Sequence, residues 1–140
     1  MINGVLKSPL KIVSLNDGNV MHAMKNKDQG YTQFGEAYFS IINSGAIKGW
    51  KRHKKMVCNF IVPRGKIKVV IYEEKEKVFE EFIMSPENYF RLTIPTNLWV
   101  GFQGIHAEPS LLLNIASIEH DTKEADVKDL ELLEYDWAKK

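Results

Sequence analysis

Residues 45–72 read GAIKGWKRHKKMVCNFIVPRGKIKVVIY. Three strand-like runs follow one another here with only short interruptions. The first, Gly45–Met56, carries five Lys or Arg residues, one His and a Trp. The second, Met56–Val62, is compactly apolar, and Pro63-Arg64-Gly65-Lys66 is a type I or II turn. The third, Lys66–Tyr72, alternates at first and then becomes β-branched. With Ile47–His53 extended, the two-residue period puts Ile47, Gly49, Lys51 and His53 on one face, and Lys48, Trp50 and Arg52 on the other. Lys51 and His53 then point the same way with backbones about 6.5 Å apart. Neither neutralises the other, so burying the pair in a dry core is costly. Facing inward, the pair marks a wet or ligand-filled cavity; facing outward, it belongs to a solvated basic strand.

Outward from this stretch the chain keeps the same grammar. Gly4–Leu15 is an edge strand or a strand pair split by a bend at Pro9. Asn16-Asp17-Gly18-Asn19 is a turn, with Val20–Met24 as the return strand. Lys25–Gln33 is a polar loop and Glu36–Asn43 a strand with Tyr38, Ser40 and Ile42 on one face. After the central stretch, Val78–Met84, Tyr89–Ile94, Leu98–Phe102 and Ser110–Ser117 are further strands, divided by turns rich in Gly, Pro and Asn. Nine or ten short strands predict an all-β sandwich or barrel. From Glu119 the character changes. The tail is acidic, and Val127, Leu130 and Leu133 stand at helical spacing, predicting a short helical or irregular extension over 119–140 that packs on the barrel.

The totals set limits. A chain of 140 residues fits one domain with a real core. Net charge is +1, which offers no overall field for nucleic acid or an anionic membrane. The single Cys58 permits no intrachain disulfide, and its apolar run makes it a small core residue rather than a nucleophile. No stretch approaches membrane-spanning length and residues 1–20 lack a signal-peptide pattern, so the expected compartment is the cytoplasm.

The strand pattern with its inward basic strand is similar to a cupin, a double-stranded jelly roll. Phe34–Ser40 (FGEAYFS) followed by GAIKGWKRHKKM resembles the dTDP-4-dehydrorhamnose 3,5-epimerase family, and most closely its short branch, which includes sugar-nucleotide 3,4-ketoisomerases. Those isomerases carry G-F-H-A-H-K-K where this chain has Gly49-Trp50-Lys51-Arg52-His53-Lys54-Lys55. Gly65–Tyr72, Asn88-Tyr89, Ile94-Pro95, Trp99–Gly104, His120-Asp121 and Tyr135-Asp136-Trp137 fit as well, so the resemblance runs from about Pro9 to Trp137. There are departures. The family's usual base, the first His after the basic-Gly pair, is Lys51 here. Its H-G-F is Val100-Gly101-Phe102, and its acid Tyr maps near Asn114.

The resemblance implies epimerisation or isomerisation beside a ketone. That chemistry needs a base for the carbon-bound proton and a donor or cation where enolate charge develops. His53 is the expected base, since imidazole is substantially neutral near pH 7, with Lys51 at the enolate oxygen; the roles of the two also read in reverse. Tyr38 is a candidate proton donor or an ordinary strand aromatic. Lys48, Arg52, Arg64 and Arg91 are candidates for pyrophosphate contacts. Trp50 and Trp99 are candidates to stack a base, or core residues, and Asn114 is a polar interruption of an apolar run. No metal is expected, because the H-x-H that would begin a cupin metal site is Lys51-x-His53; no other cofactor is expected either.

The function so implied is a sugar-nucleotide epimerase or isomerase acting on a nucleotide-linked 4-keto-6-deoxy sugar for surface polysaccharide synthesis. The alternatives are an accessory cupin that binds the nucleotide sugar without turnover and, less favoured by the balanced charge, a nucleic-acid-binding barrel. A homodimer is expected, with the segment around Pro9 adding to a partner's sheet.

Overall fold

The computed structural model describes residues 1–138. It is nearly all β, in the jelly-roll arrangement expected. Its strands are β1 (Leu6–Pro9), β2 (Ile12–Val13), β3 (Val20–Met21), β4 (Glu36–Ile42), β5 (Ile47–His53), β6 (Cys58–Arg64), β7 (Ile67–Glu73), β8 (Val78–Met84), β9 (Phe90–Ile94), β10 (Trp99–Gly104), β11 (Ser110–Ala116) and β12 (Ala125–Val127). One five-stranded sheet runs β1-β9-β6-β11-β4, the other β12-β5-β10-β7-β8, and β2-β3 form a separate hairpin. The count exceeds the sequence expectation because the segment around Pro9 forms two strands, β1 and β2, and the tail contributes β12.

The main core lies between the sheets. Cys58, Phe60 and Val62 of β6 and Phe90, Leu92 and Ile94 of β9 point inward from one side. Ile67, Val69 and Ile71 of β7 and Val100 of β10 meet them from the other. Alternation within each strand produces this, and burial of these apolar side chains is the main stabilising term.

The segment up to Pro9 is an edge strand, and β1 pairs within its own chain, with Leu6 opposite Thr93 on β9. Residues 22–31 cover the outer face of the first sheet. They are held by Arg91, which donates to the Ala23 and Gln29 carbonyls at 2.8 and 3.1 Å, and by Asn59, which donates to the Gly30 carbonyl at 3.2 Å. Gly30 has φ +96° and lies so close to Thr93 that a Cβ would meet its Oγ1 at 2.5 Å, so both conformation and space demand glycine.

The tail departs from the helical reading. Thr122–Glu124 and Leu130–Leu132 are single 3-10 turns, and between them β12 adds an edge strand to β5. Backbone pairing decides this: Trp50 and Lys128 exchange N–H···O bonds at 3.1 and 3.0 Å, which a helix would forfeit. Beyond it, Leu133 and Trp137 close over Trp50, Val70 and Trp99 on the outer face of the second sheet, forming a second apolar cluster. The extension expected over 119–140 thus packs on the barrel as far as Ala138; its last two positions lie outside the described residues. Among the described residues no helix is long and apolar enough to cross a membrane.

Candidate active site

The position of every polar group in the cavity depends on an irregularity in β5. Its register against β10 pairs Arg52 with Trp99 and Lys51 with Val100, then shifts so that Lys48 pairs with Phe102 and Ile47 with Gln103. Gly49 and Trp50 therefore share one partner position, Gly101, which is a β-bulge. Strict alternation is broken there. Lys48 joins Lys51 and His53 on the inward face, whereas Ile47 moves out to pack with the Trp50 cluster. This corrects the sequence reading, which put Lys48 outside and Ile47 inside. The bulge closes because Gly101 has no side chain: a Cβ there would lie 3.0 Å from the Trp137 ring and 3.1 Å from that of Trp50.

A cavity of about 300 Å³ opens between the sheets. Lys48, Lys51 and His53 line it from β5, Tyr38 and Ser40 from β4, and Asn114 from β11. Cys58, Phe60, Val100, Phe102 and Leu112 supply apolar wall, and Val127 stands at its mouth.

His53 is held by a residue that sequence reasoning missed. Glu124 is buried, and its Oε1 pairs with His53 Nδ1. Its Oε2 accepts the backbone N–H groups of Lys54, Lys55 and Met56 at 3.0, 3.0 and 3.3 Å. Burial pushes this carboxyl up, but the His53 bond and the backbone donors outweigh it and hold the group below the usual carboxylate range. An ionised Glu124 accepts a hydrogen bond from Nδ1–H, which leaves His53 Nε2 as the basic nitrogen toward the cavity. The only signal in the sequence was the adjacent His120-Asp121 pair, and nothing in it links position 124 to a strand seventy residues earlier.

Across the cavity, Asn114 is opposite Tyr38 in the sheet. Its Nδ2 donates to the Tyr38 hydroxyl at 3.0 Å, and its Oδ1 accepts from the Asn59 N–H at 3.0 Å. Burial raises the Tyr38 pKa above the ordinary phenol value, so this hydroxyl keeps its proton. Burial likewise pushes the Cys58 thiol up to about 12, which makes it an inert wall residue, as its apolar run indicated.

Five candidates lie elsewhere. Trp50 borders the cavity, but its indole packs outward on Trp137 and donates to the Leu130 carbonyl at 3.2 Å. Trp99 is in the same outer cluster and donates to Glu74 at 2.8 Å. Arg52 stacks 4.6 Å from the Trp99 ring and pairs with Asp126 at 2.9 Å; the strand period points it away from the cavity. Arg91 is spent on residues 22–31, and Arg64 is exposed at the far end of β6. The structure therefore gathers His53, Lys51, Lys48, Tyr38 and Asn114. Among the described residues no three His, Cys, Asp or Glu side chains are grouped so as to hold a metal ion.

No family model matches the chain. The crystal structure of a dTDP-sugar isomerase from Desulfovibrio desulfuricans G20 superposes with a TM-score of 0.92 at 32% identity, covering 98% of this chain and 92% of that one. The chain belongs to the dTDP-sugar isomerase and epimerase family. A probable low-salt glycan biosynthesis epimerase of Haloferax volcanii is 31% identical over 96 residues, 64% of this chain and 62% of the length of that relative. The dTDP-4-dehydrorhamnose 3,5-epimerase of Sulfolobus tokodaii shares the fold, with a TM-score of 0.83 at 18% identity over 96% of this chain and 82% of its own. Within the dTDP-sugar isomerase and epimerase family, then, this chain sets a Lys-x-His pair on its cavity strand.

Proposed function

We propose that the chain is an epimerase or isomerase of a dTDP-linked 4-keto-6-deoxy sugar, working by proton removal beside the ketone. The observation that carries this reading is the His53–Glu124 pair, a base fixed by a buried carboxylate and set in a cavity beside Lys51. His53 Nε2 takes the carbon-bound proton, and the electron pair of that bond moves onto the carbonyl oxygen. Lys51 faces the enolate oxygen as a cation, in a cavity with apolar walls where such attraction is strong. Tyr38, on the opposite sheet and holding its proton, gives it to the carbon from the other face of the ring; Tyr38 then regains a proton from solvent and His53 releases the one it took. In this scheme His53 takes the role of the family's first His, and Tyr38 that of its acid Tyr. The product feeds glycan assembly, drawing on a cytoplasmic nucleotide-sugar pool.

Incubation in D2O with a dTDP-4-keto-6-deoxy sugar tests this. Deuterium enters at the carbon beside the ketone even where the net equilibrium hides conversion. Binding without wash-in identifies an accessory binder instead. In the same preparation dTDP raises the melting temperature, because it stabilises only the native state; no shift at millimolar dTDP rejects the sugar-nucleotide reading altogether.

The same reading makes the protein a homodimer. Phe39 and Ile41 on β4, each 63% exposed, stand beside Leu113 and Leu111 in the sheet register. An exposed apolar face on a sheet edge fits a second copy. Sedimentation at micromolar concentration gives a dimer, and Phe39→Asp with Ile41→Asp converts it to monomer; a wild-type monomer removes this part of the proposal.

A further inference from the structure

Asn114 is buried in the middle of an apolar strand, with Leu112 and Ala116 as its inward neighbours on β11. Its amide has one workable orientation. Oδ1 accepts the Asn59 backbone N–H at 3.0 Å, a group that only donates, so turning the amide over would set two donors against each other. Asn59 is itself fixed: Thr93 donates to its Oδ1 at 2.6 Å, and its Nδ2 donates to the Gly30 carbonyl at 3.2 Å. Asn114 Nδ2 therefore faces the Tyr38 oxygen, at 3.0 Å.

This settles the phenol hydrogen as well. A hydroxyl whose oxygen is met by a donor turns its own hydrogen elsewhere. Among the described residues its one acceptor is Met56 Sδ at 3.9 Å, a thioether and a weak partner. The hydrogen is thus available to a molecule in the cavity that Tyr38 lines. Glu36 on its own strand, Cys58 on β6 and Glu124 act on the phenol through their charge, and Lys48, Lys51 and His53 share the cavity with it; none of the six bonds the hydroxyl. The Asn114 bond lowers the phenol pKa against the burial that raises it, which makes Tyr38 a better acid.

We propose that Asn114 is a positioning residue for the second proton transfer, holding the Tyr38 hydrogen toward the bound sugar by donating to the Tyr38 oxygen. The proposal rests on the epimerase or isomerase reading above. In the step it serves, the Tyr38 O–H bond breaks and a C–H bond forms as the enolate electron pair returns to carbon and the ketone is restored. The negative charge passes to the Tyr38 oxygen, where the Asn114 N–H already points, until solvent returns a proton. An apolar residue at 114 would pack equally well in this strand but would leave the phenol free to turn.

Asn114→Asp tests this, because it keeps the shape and the acceptor for Asn59 but puts an acceptor where the donor was. With a dTDP-4-keto-6-deoxy sugar in D2O, deuterium still enters recovered substrate through His53, while conversion to product falls about 100-fold. Burial raises the pKa of the introduced carboxyl. Lowering the pH protonates it, and its O–H then donates to Tyr38. The ratio of conversion to wash-in, which cancels the titration of His53, therefore recovers toward acid in Asn114→Asp and stays flat in the wild type. Tyr38→Phe shows the same split at every pH. An unchanged ratio in Asn114→Asp overturns the proposal, as does a parallel loss of wash-in and conversion, which marks Asn114 as purely structural. Normal conversion by Tyr38→Phe overturns it whether or not Asn114→Asp folds. These results leave the enzymatic reading standing; a wild type without wash-in rejects that reading and the proposal with it.

Discussion

His53→Asn reduces deuterium wash-in from D2O by roughly 10³-fold or more, into background, while dTDP binds nearly as in the wild type. Asn keeps the size and polarity of the imidazole near Glu124 but offers no basic nitrogen, so proton removal is lost selectively. The size of the effect follows from the scarcity of alternatives in the cavity. Cys58 stays a thiol because burial pushes it up to about 12, and Tyr38 is held protonated by its own burial. Lys51→Met lowers the rate less, since it removes charge stabilisation and leaves the base. The reverse ranking, with exchange lost in Lys51→Met and kept in His53→Asn, makes Lys51 the base. Exchange unaffected by either substitution rejects the assignment of both.

Glu124→Ala destabilises the fold by about 3–5 kcal/mol, a fall in melting temperature of about 10 °C or more. It strips three backbone N–H groups at 54–56 and the His53 ring of their common acceptor, with little access for water to replace it. Glu124→Gln keeps an acceptor oxygen and loses less. A pH series separates charge from shape. Because the native carboxyl is held below its usual range, its contribution is fully present above about pH 4.5 and is lost as pH falls through the native value. The wild type therefore shows an acid-side loss of stability that Glu124→Gln lacks. Parallel acid limbs in the two proteins would show that this carboxylate is not the group responsible. In activity, Glu124→Gln slows exchange because Nδ1 no longer faces a charged acceptor; full activity in this variant would make Glu124 a purely structural residue.

The strands were legible because alternation and turn residues are local signals. Met56–Val62 and Lys66–Tyr72 declare themselves as β6 and β7 within a few residues. The shared face of Lys51 and His53 was legible for the same reason, since both follow the bulge. Lys48 was misplaced because the extra residue opposite Gly101 belongs to a pairing between strands, and neither strand shows it alone. Glu124 was invisible because its role depends on β12 lying beside β5, a contact across seventy residues. The helical spacing of Val127, Leu130 and Leu133 was a real pattern that strand pairing overrode. Trp50 and Trp99 stood open between stacking a base and building the core, and Arg52 as a pyrophosphate candidate, because a sequence does not reveal which side of a sheet the tail will cover; the tail covers theirs.

That covered side has a spectroscopic corollary. All three tryptophans of the chain, Trp50, Trp99 and Trp137, are in the outer cluster beneath the tail. Intrinsic fluorescence of this protein is therefore an optical gauge of tail docking. The emission shifts when residues 128–137 lift from the sheet and Trp50 meets water. An unfolding curve followed at 295 nm excitation tracks release of this seal, whereas far-ultraviolet circular dichroism tracks the two sheets. Where the two curves separate, the gap measures how far the tail lets go before the barrel does.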